Sequence, residues 1–208
     1  LAALSLPVAA AAMMAQGFTH GVASGESGSD RILLWTRYAA ASDARLTAEL
    51  STTADFARVV AGGSVTALAD RDHTAKLVVT GLEPGRWYYF RFVAPDGSRS
   101  SVGRTRTLPA GPTSAFTLAL FSCSNLPFGW FNGYAHAAAR GDIDMTVHVG
   151  DYLYEYPAGD YPSARQAVPG RLIQPDHEIV ALADYRLRYA AYRSDPDLAR
   201  LHQLFPMI

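Results

Sequence analysis

Residues 78–92 read VVTGLEPGRWYYFRF, and their pattern decides the architecture of the first half of the chain. Val78 and Val79 close one β-rich run, Pro84-Gly85 supplies a turn, and Trp87, Tyr88 and Phe90 open a second run of strand-forming residues. The same rhythm extends on both sides. RILLWTRY (31–38), ARLTAELST (44–52), TAKLVVTG (74–81) and RWYYFRFVAPDGS (86–98) are short segments separated by turn residues, from Gly17 to about Pro109. Such spacing predicts a β-sandwich.

The corner in 78–92 resembles that of a fibronectin type III or immunoglobulin-like sandwich, in which a tyrosine following an apolar residue and a turn pins the passage between strands. Modules of this kind are usually structural. Arg99, Arg104 and Arg106, near its end, are expected to be a solvated strand face without function. TLPAGPTSA (107–115) is rich in Pro, Gly, Ser and Thr, and marks a boundary. The expected division is a leader at 1–16, a sandwich at 17–108, a linker at 109–115 and a second domain at 116–208.

Composition narrows the function. Eighteen Lys and Arg against 19 Asp and Glu give a net charge of −1, so no global field recruits nucleic acid or an anionic membrane. The single cysteine, Cys123, excludes an intramolecular disulfide and a cysteine-only zinc site. Its thiol is either core filler or a ligand. The opening LAALSLPVAAAAMMAQ is apolar and alanine-rich but shorter than the roughly 20 residues of a membrane span. It reads as a signal-peptide remnant, implying export to a periplasmic or extracellular space.

Beyond the linker the period changes. FTLALFS (116–122) and MTVHVG (145–150) are apolar runs suited to buried parallel strands, and WFNGYAHAAARG (130–141) reads as a helix ended by Gly141. A strand–helix–strand unit makes a right-handed parallel crossover, and open α/β sheets collect their chemistry beyond the carboxyl ends of the strands. SCSN (122–125) ends the first strand and GDYLY (150–154) the second, so Cys123 and Asp151 are expected to lie near each other. Taken singly, Cys123 is a buried small hydrophobe, Asp151 a turn residue and Tyr154 a rim aromatic. Only the Asp-x-x-Tyr spacing after a parallel strand makes a shared metal plausible.

FTHGVASGESGSDRILLWTRY (18–38), LFSCSNLPFGWFNGYAHAAARGDIDMTVHVGDYLYEY (120–156) and GRLIQPDHEIVALADYRLRYAAYRSDPDLARLH (170–202) together resemble the alkaline phosphatase D (PhoD) family. The resemblance runs from Phe18 to the last residue. It implies an immunoglobulin-like module followed by an α/β metallophosphatase-type domain, a hydrolase acting on phosphate mono- or diesters with ferric iron and calcium. It further implies that Cys123 binds iron as thiolate, Tyr154 binds it as phenolate, and Asp151 ligates iron and bridges to calcium. Asn125 becomes a phosphate contact, with loop-capping as the competing role. The implied substrate is a phosphate ester, and a monomer is expected; a non-catalytic extracellular sandwich that binds a partner is the alternative.

Other features are read blandly. Tyr152 and Tyr156 are packing. PDHEIV (175–180) lacks the second histidine of a zinc-protease helix, Ala181 standing where it would be, and reads as a helix start. The helix that follows, to about Arg193, is expected to bury Ile179, Leu182, Tyr189 and Tyr192 and to expose Arg186, Arg188 and Arg193. Ser122 or Ser124 with His148 forms a conceivable nucleophile pair, but no Gly-x-Ser-x-Gly elbow accompanies it. PAGDYPSARQAVPGRLIQP (157–175) is a long loop placed to wall a substrate site. The second sheet has only two evident strands and LFPMI ends on what reads as the start of another, so the chain is expected to be a fragment with an incomplete, inactive catalytic half.

Overall fold

The computed structural model describes residues 16–208, so the expected leader, except Gln16, lies outside the described residues. Ten strands follow in order: β1 (Gly17–Gly25), β2 (Arg31–Ala39), β3 (Ala44–Ser51), β4 (Val59–Ala67), β5 (Thr74–Thr80), β6 (Trp87–Val93), β7 (Gly103–Arg106), β8 (Leu118–Phe121), β9 (Met145–His148) and β10 (Pro206–Met207). Three helices join them in the second half: α1 (Asn132–Ala139), α2 (Leu182–Arg193) and α3 (Pro196–Leu204).

The sandwich follows from alternation. In β2, Ile32, Leu34 and Thr36 point inward, and in β6 Tyr88, Phe90 and Phe92 do, as a two-residue period dictates. All but Thr36 meet Val22, Leu46 and Leu50 in one hydrophobic core. The expected corner is present: the Tyr88 hydroxyl accepts the backbone N–H of Glu83 at 2.9 Å. One layer is the four-stranded sheet β4-β3-β6-β7; the other contains β5, β2 and β1.

The second layer does not stop at the sandwich. It is one six-stranded sheet in the order β5-β2-β1-β10-β9-β8, antiparallel through β1 and parallel from there on. The junction pairs Ser24 with Pro206 and Gly25 with Met207. A Cβ on Gly25 would lie 2.6 Å from the Met207 carbonyl oxygen, so this close passage needs glycine. The strand expected to begin in LFPMI is β10; what the expectation of a separate two-strand second sheet missed is that β10 pairs with β1, about 180 residues earlier in the chain, a partnership no local periodicity records.

The cations at 104 and 106 are corrected as well. Arg104 stacks over Trp87 at 4.0 Å and Phe205 at 5.2 Å, and Arg106 pairs with Asp144, whose other oxygen accepts the Thr117 N–H at 2.8 Å. They tie the sandwich to the α/β part instead of facing water. That part has its own core of Leu126, Phe131, Tyr134, Leu198, Leu201 and Phe205.

Candidate metal centre

β8 and β9 run parallel with Leu118–Phe121 beside Met145–His148, and their pairing continues past both strand ends. Cys123 N–H donates to Gly150 O at 3.2 Å and Ser124 N–H to Asp151 O at 2.8 Å. At this point both chains enter the left-handed region, with φ of 56° at Cys123 and 50° at Asp151. Non-glycine residues are uncommon there, and strained positions gather at functional sites. The reversal turns both side chains outward at the carboxyl end of the sheet.

There Cys123 Sγ lies 3.5 Å from Asp151 Oδ2, and Tyr154 OH lies 3.5 Å from the same oxygen. Thiol, carboxylate and phenol thus converge on one point. Cys123 and Asp151 are exposed and Tyr154 half-buried. Burial, then the hydrogen bond and charge of Cys123, then Asp151 and Tyr161 push the Tyr154 phenol above its ordinary value, so without a cation it stays protonated. Among the described residues, no three His, Cys, Asp or Glu side chains form a metal-binding group; the convergence depends on a tyrosine.

A cleft of about 470 Å³ beside these groups is lined by Cys123 and Tyr154 together with Asn125, Phe128, Trp130, Tyr134 and Tyr161. Tyr154 packs edge-on to Tyr161 at 5.7 Å and stacks on Tyr156 at 6.3 Å, so Tyr156 does pack, although 47% exposed. Asn125 Nδ2 donates to the Tyr161 carbonyl at 3.4 Å, which is the loop-tying role, while its residue also lines the cleft. Tyr161 brings the 157–175 loop to the cleft wall.

Behind the donors, Ser124 Oγ lies 2.9 Å from His148 Nε2, and the Tyr134 hydroxyl bonds both. Serine and histidine therefore do meet, but Ser124 is only 6% exposed, and its hydroxyl is committed to a buried network instead of facing substrate. Burial pushes the His148 imidazole below its ordinary value.

Sequence reasoning missed the residues that hold these loops. Arg188, expected at the surface, is 1% exposed; its guanidinium donates to five backbone carbonyls, those of Tyr154, Tyr156, Gln174, Pro175 and His177. One turn later the Tyr192 hydroxyl accepts the Leu126 N–H at 3.1 Å. So α2 grips the loop after β9 with one side chain and the loop after β8 with another. Arg171, buried, donates to the Leu126 and Gly129 carbonyls and pairs with Asp195. Arg193 is likewise buried, at 8%. Residues 175–180 are not helical: α2 begins after Ala181, where the Asp184 carboxylate accepts the Val180 and Ala181 N–H groups. Ile179 and Tyr192 are buried as expected, but Leu182 and Tyr189 are 67% and 47% exposed. The available signal was position: Arg188 precedes Tyr192 by four residues and so shares its buried face.

Comparison with known proteins places these residues in context. Residues 3–109 match the family model described as PhoD-like phosphatase, N-terminal domain, and residues 118–208 match PhoD-like phosphatase. Alkaline phosphatase D of Bacillus subtilis (strain 168) is 35% identical over 202 residues, covering 92% of this chain and 34% of that protein. A solved structure described as "Structure of PhoD" superposes with a TM-score of 0.85 at 35% identity, covering 93% of this chain and 38% of that one. The chain spans about a third of the length of the curated relative it matches.

Proposed function

The chain belongs to the PhoD-like phosphatase family, and from that premise we propose that Cys123, Asp151 and Tyr154 are ligands of a metal centre that hydrolyses phosphate esters. The observation that carries the reading is their convergence within 3.5 Å contacts at the ends of two parallel strands. The donor set fits the proposed metals. A thiol and a phenol suit ferric iron, and a carboxylate with two oxygens suits a shared, hard calcium ion. The raised Tyr154 phenol fits too, because a nearby cation is what turns it into a phenolate. Bound metal supplies charge that neutralises the ester and lowers the pKa of bound water.

The chain's own groups do the rest. Asp151 and Cys123 are held at a fixed separation, each in a left-handed backbone conformation, by two cross-strand hydrogen bonds that keep the facing loops in register. Asn125 offers an amide at the cleft wall for a phosphate oxygen. Trp130, 62% exposed, together with Phe128 and Tyr161, forms an apolar wall for the ester's organic part. The 157–175 loop, through Tyr161, sets the width of that wall and with it the balance between monoesters and diesters. Among the described residues no helix is long and apolar enough to cross a membrane; export as a monomer is part of the reading, checked by N-terminal analysis of secreted material and by sedimentation.

The deciding experiment uses the intact protein produced with iron and calcium. Elemental analysis is expected to find both metals, phosphate esters to be hydrolysed, and a visible phenolate-to-iron band to appear. Tyr154→Phe should bleach the band and weaken iron retention, and Asp151→Asn should lower turnover roughly a hundredfold or more, beyond what loss of an outer-shell partner costs. Full absorption in Tyr154→Phe would reduce Tyr154 to packing.

A further inference from the structure

A second cavity, of about 600 Å³, lies between α2 and the outer face of β1, β2 and β5, away from the Cys123 thiol. Five cations line it, Arg37, Arg71, Lys76, Arg186 and Arg193, against one carboxylate, Asp72. That carboxylate is occupied by Arg37 at 2.8 Å. For a chain whose net charge is −1, this is a strong local concentration of positive charge. Arg71 and Lys76 are exposed at the rim.

Behind the wall of the cavity lie buried polar groups that are not fully partnered. Arg193 is 8% exposed; its Nη2 donates to the His20 carbonyl at 2.9 Å, and its guanidinium also interacts with the Tyr152 hydroxyl, but among the described residues Nε and Nη1 make no hydrogen bond of ordinary geometry. His202 is 9% exposed, with Nε2 2.9 Å from the Tyr152 hydroxyl and Nδ1 unpartnered. When that hydroxyl donates to Nε2, the imidazole proton sits on Nδ1 and also lacks an acceptor. Buried polar groups are ordinarily satisfied, and each exception asks for an explanation. The β-bulge between Thr19 and Val22 brings His20 to the same wall, and bulges often re-aim a side chain next to a site.

The mouth of the cavity is aromatic. Arg193 lies over the Trp35 ring at 5.0 Å, and Tyr189, 47% exposed, stacks on Tyr152 at 5.9 Å. A cluster of accessible cations calls for an anion, while flat rings beside them call for a flat body. The volume is in the range of small-molecule sites.

We propose that this groove is a second, non-catalytic site for an organic phosphate, its anionic head among the accessible cations Arg71, Lys76 and Arg186 and its planar body against Trp35 and Tyr189, with the buried Arg193 adding positive charge from behind the wall. The inference stands apart from the phosphatase reading, since it uses none of the proposed metal ligands. The test titrates the intact Asp151→Asn protein with phenylphosphonate, whose carbon–phosphorus bond resists hydrolysis. One saturable site is expected, at least tenfold weaker in Arg71→Glu/Lys76→Glu and in Tyr189→Ala, with unchanged circular dichroism because all three residues are exposed. Benzyl alcohol should not bind. Absence of saturable binding, or binding indifferent to both rim variants, would overturn the proposal. So would inorganic phosphate binding as tightly as phenylphosphonate, which would leave the aromatic mouth without a role.

Discussion

Cys123 and Asp151 hold a conformation that their own chemistry disfavours. A left-handed non-glycine residue costs about 1 kcal/mol or more relative to glycine, and here it occurs twice in facing loops. Cys123→Gly is therefore expected to raise the stability of metal-free protein by about 0.5–1 kcal/mol while abolishing the iron-dependent band that the proposed function calls for. Equilibrium denaturation beside absorption spectroscopy checks both halves. His202 carries a different cost. Its burial, then the charges of Arg193 and His148, push its imidazole well below the ordinary value. The unfolded chain takes up a proton as pH falls through about 6.5 and the native chain does not. Stability should then drop as pH falls below about 6.5, by roughly 1 kcal/mol over the first unit from this group alone. His20 and His148, also lowered by burial, act in the same direction. Denaturation midpoints at pH 7.5 and 5.5 test this: His202→Gln, which keeps an acceptor for Tyr152, should flatten the dependence. Both ligand candidates were legible in the chain because each closes an apolar run. The histidine's burial was not, because it depends on Tyr152 and Arg193 closing over it.

At the level of elements, α2 is the strut of the site. Through Arg188 and Tyr192 it fixes the loops after β9 and β8 on a single helical face. Arg188→Ala would leave five carbonyls short of a donor, for an expected loss of about 3–5 kcal/mol. Arg188→Lys should recover less than half of this, since one ammonium cannot span carbonyls from Tyr154 to His177 as a planar guanidinium does. Thermal unfolding measures the loss, and weakened iron retention in the lysine variant would show that the Tyr154 loop has shifted. Helical spacing predicted the end of α2 near Arg193 and that Tyr192 is inside, but started the helix too early and wrongly buried Leu182 and Tyr189. It assigned Arg188 to solvent because charge is ordinarily outside unless paired; the carbonyls that satisfy it come from segments with no periodicity of their own.

For the molecule as a whole, the sandwich and the α/β part form one continuous sheet joined at β1 and β10, with Arg104, Arg106 and Asp144 beside the seam. The Arg106–Asp144 pair is 22% and 14% exposed, so its loss should cost more than a surface pair and less than a fully buried one. Asp144→Ala is expected to cost about 2–3 kcal/mol and to speed proteolysis within residues 107–117; unchanged cleavage would mean that the sheet alone holds the seam. The amino-acid sequence by itself determined the β-sandwich, the parallel unit that follows it and the placement of Cys123, Asp151 and Tyr154 at strand ends. Those features rest on side-chain alternation, apolar runs and turn residues, all acting within a few residues of each other. Only the tertiary structure decided that a two-residue strand welds the halves, that Arg188 and Arg193 are buried, and that a cationic groove opens beside α2. Whether a charge lies inside depends on acceptors brought from distant parts of the chain, and no local pattern records where those acceptors will be.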